Sequence, residues 1–138
     1  METPDIQAVQ SVLDQVAAPF VKSLGLQVLE CNESSTSMRM PITPALVHGG
    51  GMLCGQSVLA AADTAMVVAL SVANGAFKPM TTVQLQTSFL RPIPGDTTDV
   101  RLVCTILRSG RTLAFGEVEV FTPDGKLAAH ATTTYAFL

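Results

Sequence analysis

The chain has 138 residues, of which 48% are hydrophobic and only 14% are charged. This length allows one well-packed domain and is short for two, so we expect a single domain over residues 1–138. The formal net charge is −3 and no cluster of lysine and arginine occurs, which argues against nucleic acid as the main partner. No uninterrupted apolar run reaches the roughly 18 residues of a membrane span, so the apolar excess favours a buried helix and subunit interfaces over a membrane.

The first ten residues and the cysteines indicate the compartment. The N-terminal segment carries acidic residues where a secretory signal carries basic ones, and it has no apolar core, so we expect a cytoplasmic protein. Cys31, Cys54 and Cys104 are odd in number and widely spaced. They predict neither a disulfide framework nor a zinc site, and at least two of them are expected to be small buried hydrophobic residues.

Apolar periodicity and turn residues divide the chain into elements. Helical spacing predicts an amphipathic helix over Asp5–Leu24, which Gly25 ends. A long apolar helix is predicted from Gly55 to about Asn74 or Gly75, after a glycine-rich loop at 42–54. The remaining segments alternate as strands do, with turn residues between them. They are a hairpin at 26–31 and 36–41, and four strands at 81–91, 98–108, 112–122 and 126–137.

This order of elements predicts an α+β fold with one antiparallel sheet and the long helix packed on its concave face. Ala60, Ala61, Ala62 and Ala65 would let strands approach that helix closely. Sheet edges and apolar helix surface would remain uncovered in a single chain. A homodimer is therefore expected.

Asp63 is the strongest functional candidate. It is the only formally charged residue between Arg39 and Lys78, and it lies within the long apolar helix. An ionised carboxylate removed from water without partners costs several kcal/mol or more, so its presence there needs a reason. The structural alternative is an ion pair with an arginine from a neighbouring strand.

Three stretches of sequence resemble the hotdog-fold acyl-CoA thioesterases, specifically their phenylacetate-degradation (PaaI-like) branch. The stretches are residues 48–56 (HGGGMLCGQ), 63–65 (DTA) and 89–92 (FLRP). Gly55 precedes Asp63 by eight residues, which is the family's interval, and Gly51 matches the family's first glycine. The chain departs from the family at His48, where Asn or Gln is usual, and at Cys54, where His is usual.

The resemblance implies a thioester hydrolase. The amide of Gly55 at the helix start would stabilise the oxyanion, because the first helical N–H groups are unpaired and lie at the positive end of the dipole. Asp63 would attack the thioester carbon or deprotonate a water, and the sequence does not choose between the two. Thr82 resembles the residue that helps to hold the water, often from the neighbouring subunit. His48 would orient that water or donate to the carboxylate, or would only cap backbone groups of its own loop.

The resemblance further implies acyl-CoA as substrate, no metal or nucleotide cofactor, and homodimers that pair into dimers of dimers. Arg91 is a candidate for binding CoA phosphates, as are Arg108 and Arg111, although surface solubility explains these arginines equally well. The identity of the acyl group is not indicated. The expected substrate-binding residues are Gly51, Met52, Cys54, Gln56, Phe89 and Arg91, with Phe77 as a further lining candidate.

The residues at 48–54 also allow other interpretations. A covalent mechanism at Cys54 is disfavoured because no base lies beside it in the sequence. The HGGG stretch resembles the oxyanion loop of α/β-hydrolases, but the chain is too short for that fold and has no Gly-x-Ser-x-Gly. Two alternatives stay open: a hydratase or dehydratase on the same fold, and a non-catalytic acyl-CoA-binding domain in which Asp63 is structural.

Overall fold

The computed structural model describes residues 4–138. Met1, Glu2 and Thr3, which begin the N-terminal segment used above to predict a cytoplasmic protein, lie outside the described residues. The helices are α1 (Ile6–Val16), α2 (Pro19–Lys22) and α3 (Gly55–Ala73), with a 3₁₀ turn at Pro44–Leu46. The strands are β1 (Gln27–Cys31), β2 (Ser35–Pro41), β3 (Met80–Phe89), β4 (Asp99–Ser109), β5 (Leu113–Phe121) and β6 (Leu127–Phe137).

The six strands form one antiparallel sheet in the order β1-β2-β4-β5-β6-β3, and α3 packs across one face of it. The predicted α+β architecture with a long central helix is therefore confirmed. By length and composition α3 could also span a membrane, but more than half of it is buried within the structure, as in the core helix of many soluble proteins. The last strand in the sheet order, β3, has no neighbour on its outer side within residues 4–138.

The prediction of a single helix over Asp5–Leu24 is wrong, because the chain breaks before Pro19. Proline lacks an N–H and disfavours the helical conformation in the residue before it. Ala18 is accordingly extended, with φ −62° and ψ 154°. The predicted start is correct: the carboxylate of Asp5 caps α1 by accepting from the N–H of Gln7 at 3.0 Å.

The core lies between α3 and the inner face of the sheet. Small side chains bring the two layers together: Gly116 on β5 faces Met66, whose Sδ would lie 2.5 Å from a Cβ at that position. A side chain at 116 would force the end of Met66 to move and would crowd the carbonyl oxygen of Thr105, which lies 3.1 Å from that Cβ position. Residues fully buried in this layer include Met38, Met40, Ala61, Ala65, Leu70, Val100, Leu102, Cys104 and Val118.

A bulge in β3 decides which of its side chains face α3. Thr82 pairs with Tyr135 of β6 and Gln84 pairs with Thr134, so Val83 is an extra residue. Strict alternation along the sequence would put Thr82 and Leu85 on opposite faces. Because the bulge adds one residue, both face the helix.

Candidate active site

The N-terminus of α3 is held in place by the loop before it. The N–H of Cys54 donates to the carbonyl of Leu46 (2.8 Å), and the N–H of Leu53 donates to that of Ile93 (2.8 Å). Gly51 adopts φ +82°, a conformation that favours glycine, and its carbonyl accepts from the N–H of Gly95 (2.8 Å). These bonds fix the direction in which α3 begins.

The first turn of α3 has free donors. Cys54 occupies the N-cap position without a side-chain hydrogen bond, and within residues 4–138 the N–H groups of Gly55 and Gln56 have no acceptor. The ring of Phe89 lies close, since a Cβ at position 55 would be 3.3 Å from it. Glycine thus leaves room for Phe89 beside two amides that can bind a negatively charged oxygen.

A second group of polar residues lies farther along α3. We call it the carboxylate cluster: Asp63 of α3, Thr82 of β3 and Tyr135 of β6. The Thr82 hydroxyl donates to Oδ1 of Asp63 at 2.9 Å, and the Tyr135 hydroxyl also donates to Oδ1. The Tyr135 hydroxyl lies 3.0 Å from the backbone carbonyl of Asp63 as well. All three residues belong to one chain, so Thr82 reaches this carboxylate without a neighbouring subunit.

Asp63 is half-buried and has no ion-pair partner within the described chain. The pairs found in residues 4–138 are Arg39–Asp99, Lys126–Asp124 and His130–Glu117. The structural alternative for Asp63, an arginine from a neighbouring strand, is therefore not observed. Two neutral hydroxyls hold its carboxylate instead.

His48 lies apart from the carboxylate cluster. Its Nδ1 accepts from the N–H of Gly50 at 2.8 Å, and the residue is exposed. Since Nδ1 is an acceptor, the neutral ring carries its proton on Nε2. Within residues 4–138 it makes no hydrogen bond to Asp63, so the observed contact is the loop-capping one.

Met52, Cys54 and Gln56 lie in or next to the first turn of α3, and the three arginines lie elsewhere in the sequence. Met52 forms an isolated bridge with Pro94, Cys54 is half-buried, and Gln56 lies in the first turn. Arg91 is exposed just beyond β3, where its backbone N–H donates to the carbonyl of Ala128 at 3.3 Å. The side chains of Arg108 and Arg111 are also exposed, and none of these three arginines makes an ion pair within residues 4–138.

An open groove of about 840 Å³ lies between α1 and the C-terminal half of α3. Val67, one helical turn beyond Asp63, lines it, and so does Phe77. Gly55, Asp63 and Thr82 do not line it. The groove is therefore close to the carboxylate cluster without including it.

Tyr135 was missed by the sequence analysis, although a signal for it exists. Strand alternation puts it on the same face of β6 as Ala131 and Thr133, both buried. A tyrosine on a buried face needs a partner for its hydroxyl. That this partner is Asp63 follows only from the β3–β6 register and the position of α3.

A family model described as "Thioesterase superfamily" matches residues 46–129, more than half of the chain. "Putative esterase SSO2140" of Saccharolobus solfataricus is 28% identical over all of this chain and 95% of its own length. A structure of a mutant of the phenylacetic acid degradation protein PaaI from Thermus thermophilus has a TM-score of 0.76 and 25% identity, covering 88% of this chain and 100% of that one.

A structure titled as thioesterase HI1161 from Haemophilus influenzae has a TM-score of 0.85 at 20% identity, with 99% of this chain and 92% of that one covered, and shows the shared fold. The predicted hotdog fold and the resemblance to PaaI proteins are thus confirmed. The chain belongs to the thioesterase superfamily. These relatives support a hydrolase.

Proposed function

We propose that the protein hydrolyses an acyl-CoA thioester to the free acid and CoA, with Asp63 as the reacting carboxylate. The observation that carries the proposal is that the carboxylate of Asp63, in the middle of α3, is held by two hydroxyls and by no cation within residues 4–138. A carboxylate of this kind can take a proton from water or attack the thioester carbon.

Asp63 could act by either of two routes, as a general base or as a nucleophile. As a general base, Asp63 takes a proton from water, the water oxygen bonds to the carbonyl carbon, and the carbon–sulfur bond breaks. The CoA thiolate then receives the proton from Asp63. As a nucleophile, a carboxylate oxygen displaces the thiolate and forms a mixed anhydride, which water hydrolyses. In either route negative charge develops on the thioester oxygen, and the free N–H of Gly55 is the proposed donor to it.

The proposed site needs a second copy of the chain. Gly55 and Asp63 lie eight residues apart in one continuous helix, so their backbones are separated by about 12 Å along its axis. A reacting group must lie about 3 Å from both the attacking atom and the oxyanion donor. In a twofold dimer with antiparallel α3 helices, Gly55 of one chain would lie opposite the partner's Asp63.

Two surfaces support such a dimer. The edge strand β3 exposes Val83 (59%) and Phe89 (52%), and open edges of this kind readily pair with another strand. The side of α3 that carries Asp63 also presents half-buried Leu59, Ala60 and Val67, an apolar strip beside that edge. Dimers would cover both surfaces, and pairing of dimers into tetramers remains part of the proposal.

A panel of aliphatic and aromatic acyl-CoA esters tests the activity with wild type and Asp63→Asn. We expect wild type to hydrolyse at least one ester and Asp63→Asn to lose about 10²–10⁴-fold in kcat. Free CoA should raise the melting temperature of both proteins, since a ligand that binds the native state stabilises it. Stabilisation by CoA without hydrolysis in either protein would instead favour a binding domain.

A mixed dimer tests how the site is divided. Proline is tolerated at the first position of a helix and removes its N–H, so Gly55→Pro deletes the proposed donor. Gly55→Ala is the matched control, because it adds a Cβ near Phe89 and keeps the N–H. Both Gly55→Pro and Asp63→Asn homodimers should be inactive. A heterodimer of one Gly55→Pro chain and one Asp63→Asn chain, purified through two different tags, should recover about half of the wild-type rate. One of its two sites then combines an intact Gly55 with the intact Asp63 of the other chain. No recovery would contradict the shared site.

A further inference from the structure

The hydrogen bonding of the Asp63 carboxylate is one-sided. Oδ1 accepts from the hydroxyls of Thr82 and Tyr135, whereas Oδ2 accepts no hydrogen bond from residues 4–138. The two oxygens of a carboxylate are chemically equivalent until the surroundings distinguish them. In this protein the two oxygens differ in their hydrogen-bond partners.

The hydroxyl of Tyr135 acts as a hydrogen-bond donor to Asp63. Its side chain is 3% exposed, and its hydroxyl reaches both Oδ1 and the backbone carbonyl of Asp63. The titratable groups that influence it are Asp63 and the buried Cys104 thiol. Burial raises the pKa of Tyr135 above the usual range of a tyrosine, and the hydrogen bond to Asp63 raises it further. The phenol therefore keeps its proton at every working pH.

We propose that Tyr135 is a positioning residue that, together with Thr82, holds Oδ1 of Asp63 so that Oδ2 is the oxygen that reacts. This inference rests on the proposed function. Rotation of the carboxylate would exchange the two oxygens and break two hydrogen bonds to a charged group, which are stronger than bonds between neutral partners. Tyr135 thus acts through Asp63, and the precision of the attack depends on it.

Kinetics of three variants test the role. Tyr135→Phe removes the hydroxyl alone, and we expect kcat to fall about ten- to a hundredfold with KM within about twofold of wild type. Thr82→Val should lower kcat in the same way, and Thr82→Ser should restore it. The matched control is Thr133→Val: its hydroxyl lies on the same face of β6 and donates to the carbonyl of Gln84 at 3.0 Å. It should lose stability and keep wild-type kcat.

An optical titration tests the hydrogen bond without an activity assay. The chain contains one tyrosine and no tryptophan, so tyrosinate absorbance reports Tyr135 alone. Native protein should form tyrosinate only well above the ordinary value of about 10, and urea-unfolded protein should form it near that value. Asp63→Asn should lower the native midpoint, because the carboxylate charge that favours the neutral phenol is gone.

Each outcome separates the two proposals. Wild-type kcat in Tyr135→Phe beside an inactive Asp63→Asn would overturn the positioning role and leave the proposed function intact. Native tyrosinate near the unfolded midpoint would overturn the hydrogen bond itself, whatever the activity. A wild-type protein inactive on every thioester would overturn the proposed function and the positioning role together, even with the expected titration.

Discussion

Asp63 on α3 and Asp99 at the start of β4 are both partly buried aspartates, and their carboxylates have opposite kinds of partner. Asp99 accepts from Nε of Arg39 at 2.7 Å, and Arg39 also donates to Gln27 at 3.0 Å. Asp63 accepts only from neutral hydroxyls within residues 4–138. A guanidinium neutralises a carboxylate and occupies it, whereas hydroxyls orient it and leave its charge in place. The contrast distinguishes an acid that joins two strands from one that can react.

The largest expected effect comes from replacing each aspartate with asparagine. Asp63→Asn should lower kcat/KM for the best thioester by about 10²–10⁴-fold, because the amide can neither accept a proton nor attack. Asp99→Asn should change kcat/KM by less than about twofold, since the side chain of Asp99 bonds to Arg39 and to no residue of the carboxylate cluster within residues 4–138. Steady-state kinetics of both variants check this. Comparable losses in the two would remove the distinction between the aspartates.

A smaller effect is expected at alkaline pH. The pKa of Tyr135 is raised in the folded protein, so its contribution to stability is complete below the unfolded value of about 10 and is lost as pH rises toward the folded one. Wild type should therefore lose about 1 kcal/mol more than Tyr135→Phe between about pH 9 and pH 11. Arg39 stays charged throughout this range, so the Asp99 pair should add no such dependence.

Urea unfolding at a series of pH values measures that difference. The buried thiol of Cys104, whose pKa burial raises to about 12, weakens wild type in the same direction. It is present in both proteins and cancels in the comparison. Equal slopes for wild type and Tyr135→Phe would show that the phenol ionises alike in the folded and unfolded chains.

The smallest effect concerns salt. The side chains of Arg39 and Asp99 are 33% and 26% exposed, and such pairs contribute about 0.2–1 kcal/mol. Asp99→Asn should lower the free energy of unfolding by that amount at low salt, and the difference should shrink in about 1 M NaCl. For Asp63→Asn the change in the free energy of unfolding should be the same at both salt concentrations, because the Asp63 carboxylate has no counter-ion within residues 4–138 to lose. Urea unfolding at both salt concentrations checks the two variants.

The sequence predicted elements better than contacts. The start of α3 at Gly55 and the four strands after it were predicted within about two residues, because apolar period and turn residues are local signals. The break at Pro19 is local too and was overlooked. The bulge at Val83 has no local signal, since it arises from how β3 pairs with β6. For that reason the sequence could propose Thr82 only through a family resemblance.

The residues of the candidate site also differ in how far the sequence alone could predict them. Asp63 was found because a lone charge in an apolar helix is visible in the sequence itself. Tyr135 lies 72 residues away, and only the register of β6 and the packing of α3 bring its hydroxyl to that carboxylate. His48 was a candidate by position, yet its hydrogen bond turns back to Gly50. Side-chain direction in a glycine-rich loop depends on backbone angles that residue types do not determine.

The uncapped start of α3 has a consequence for how position 54 can vary. Serine, threonine or aspartate at an N-cap typically stabilises a helix by about 1 kcal/mol, and Cys54 supplies no such bond. A hydroxyl there would satisfy amides of the first turn and compete for them with any bound anion. A more stable helix would thus require a hydroxyl or carboxylate at position 54, whereas an anion site at the helix start requires that the first amides stay free. Cysteine meets the second requirement, because its sulfur is a weak hydrogen-bond acceptor.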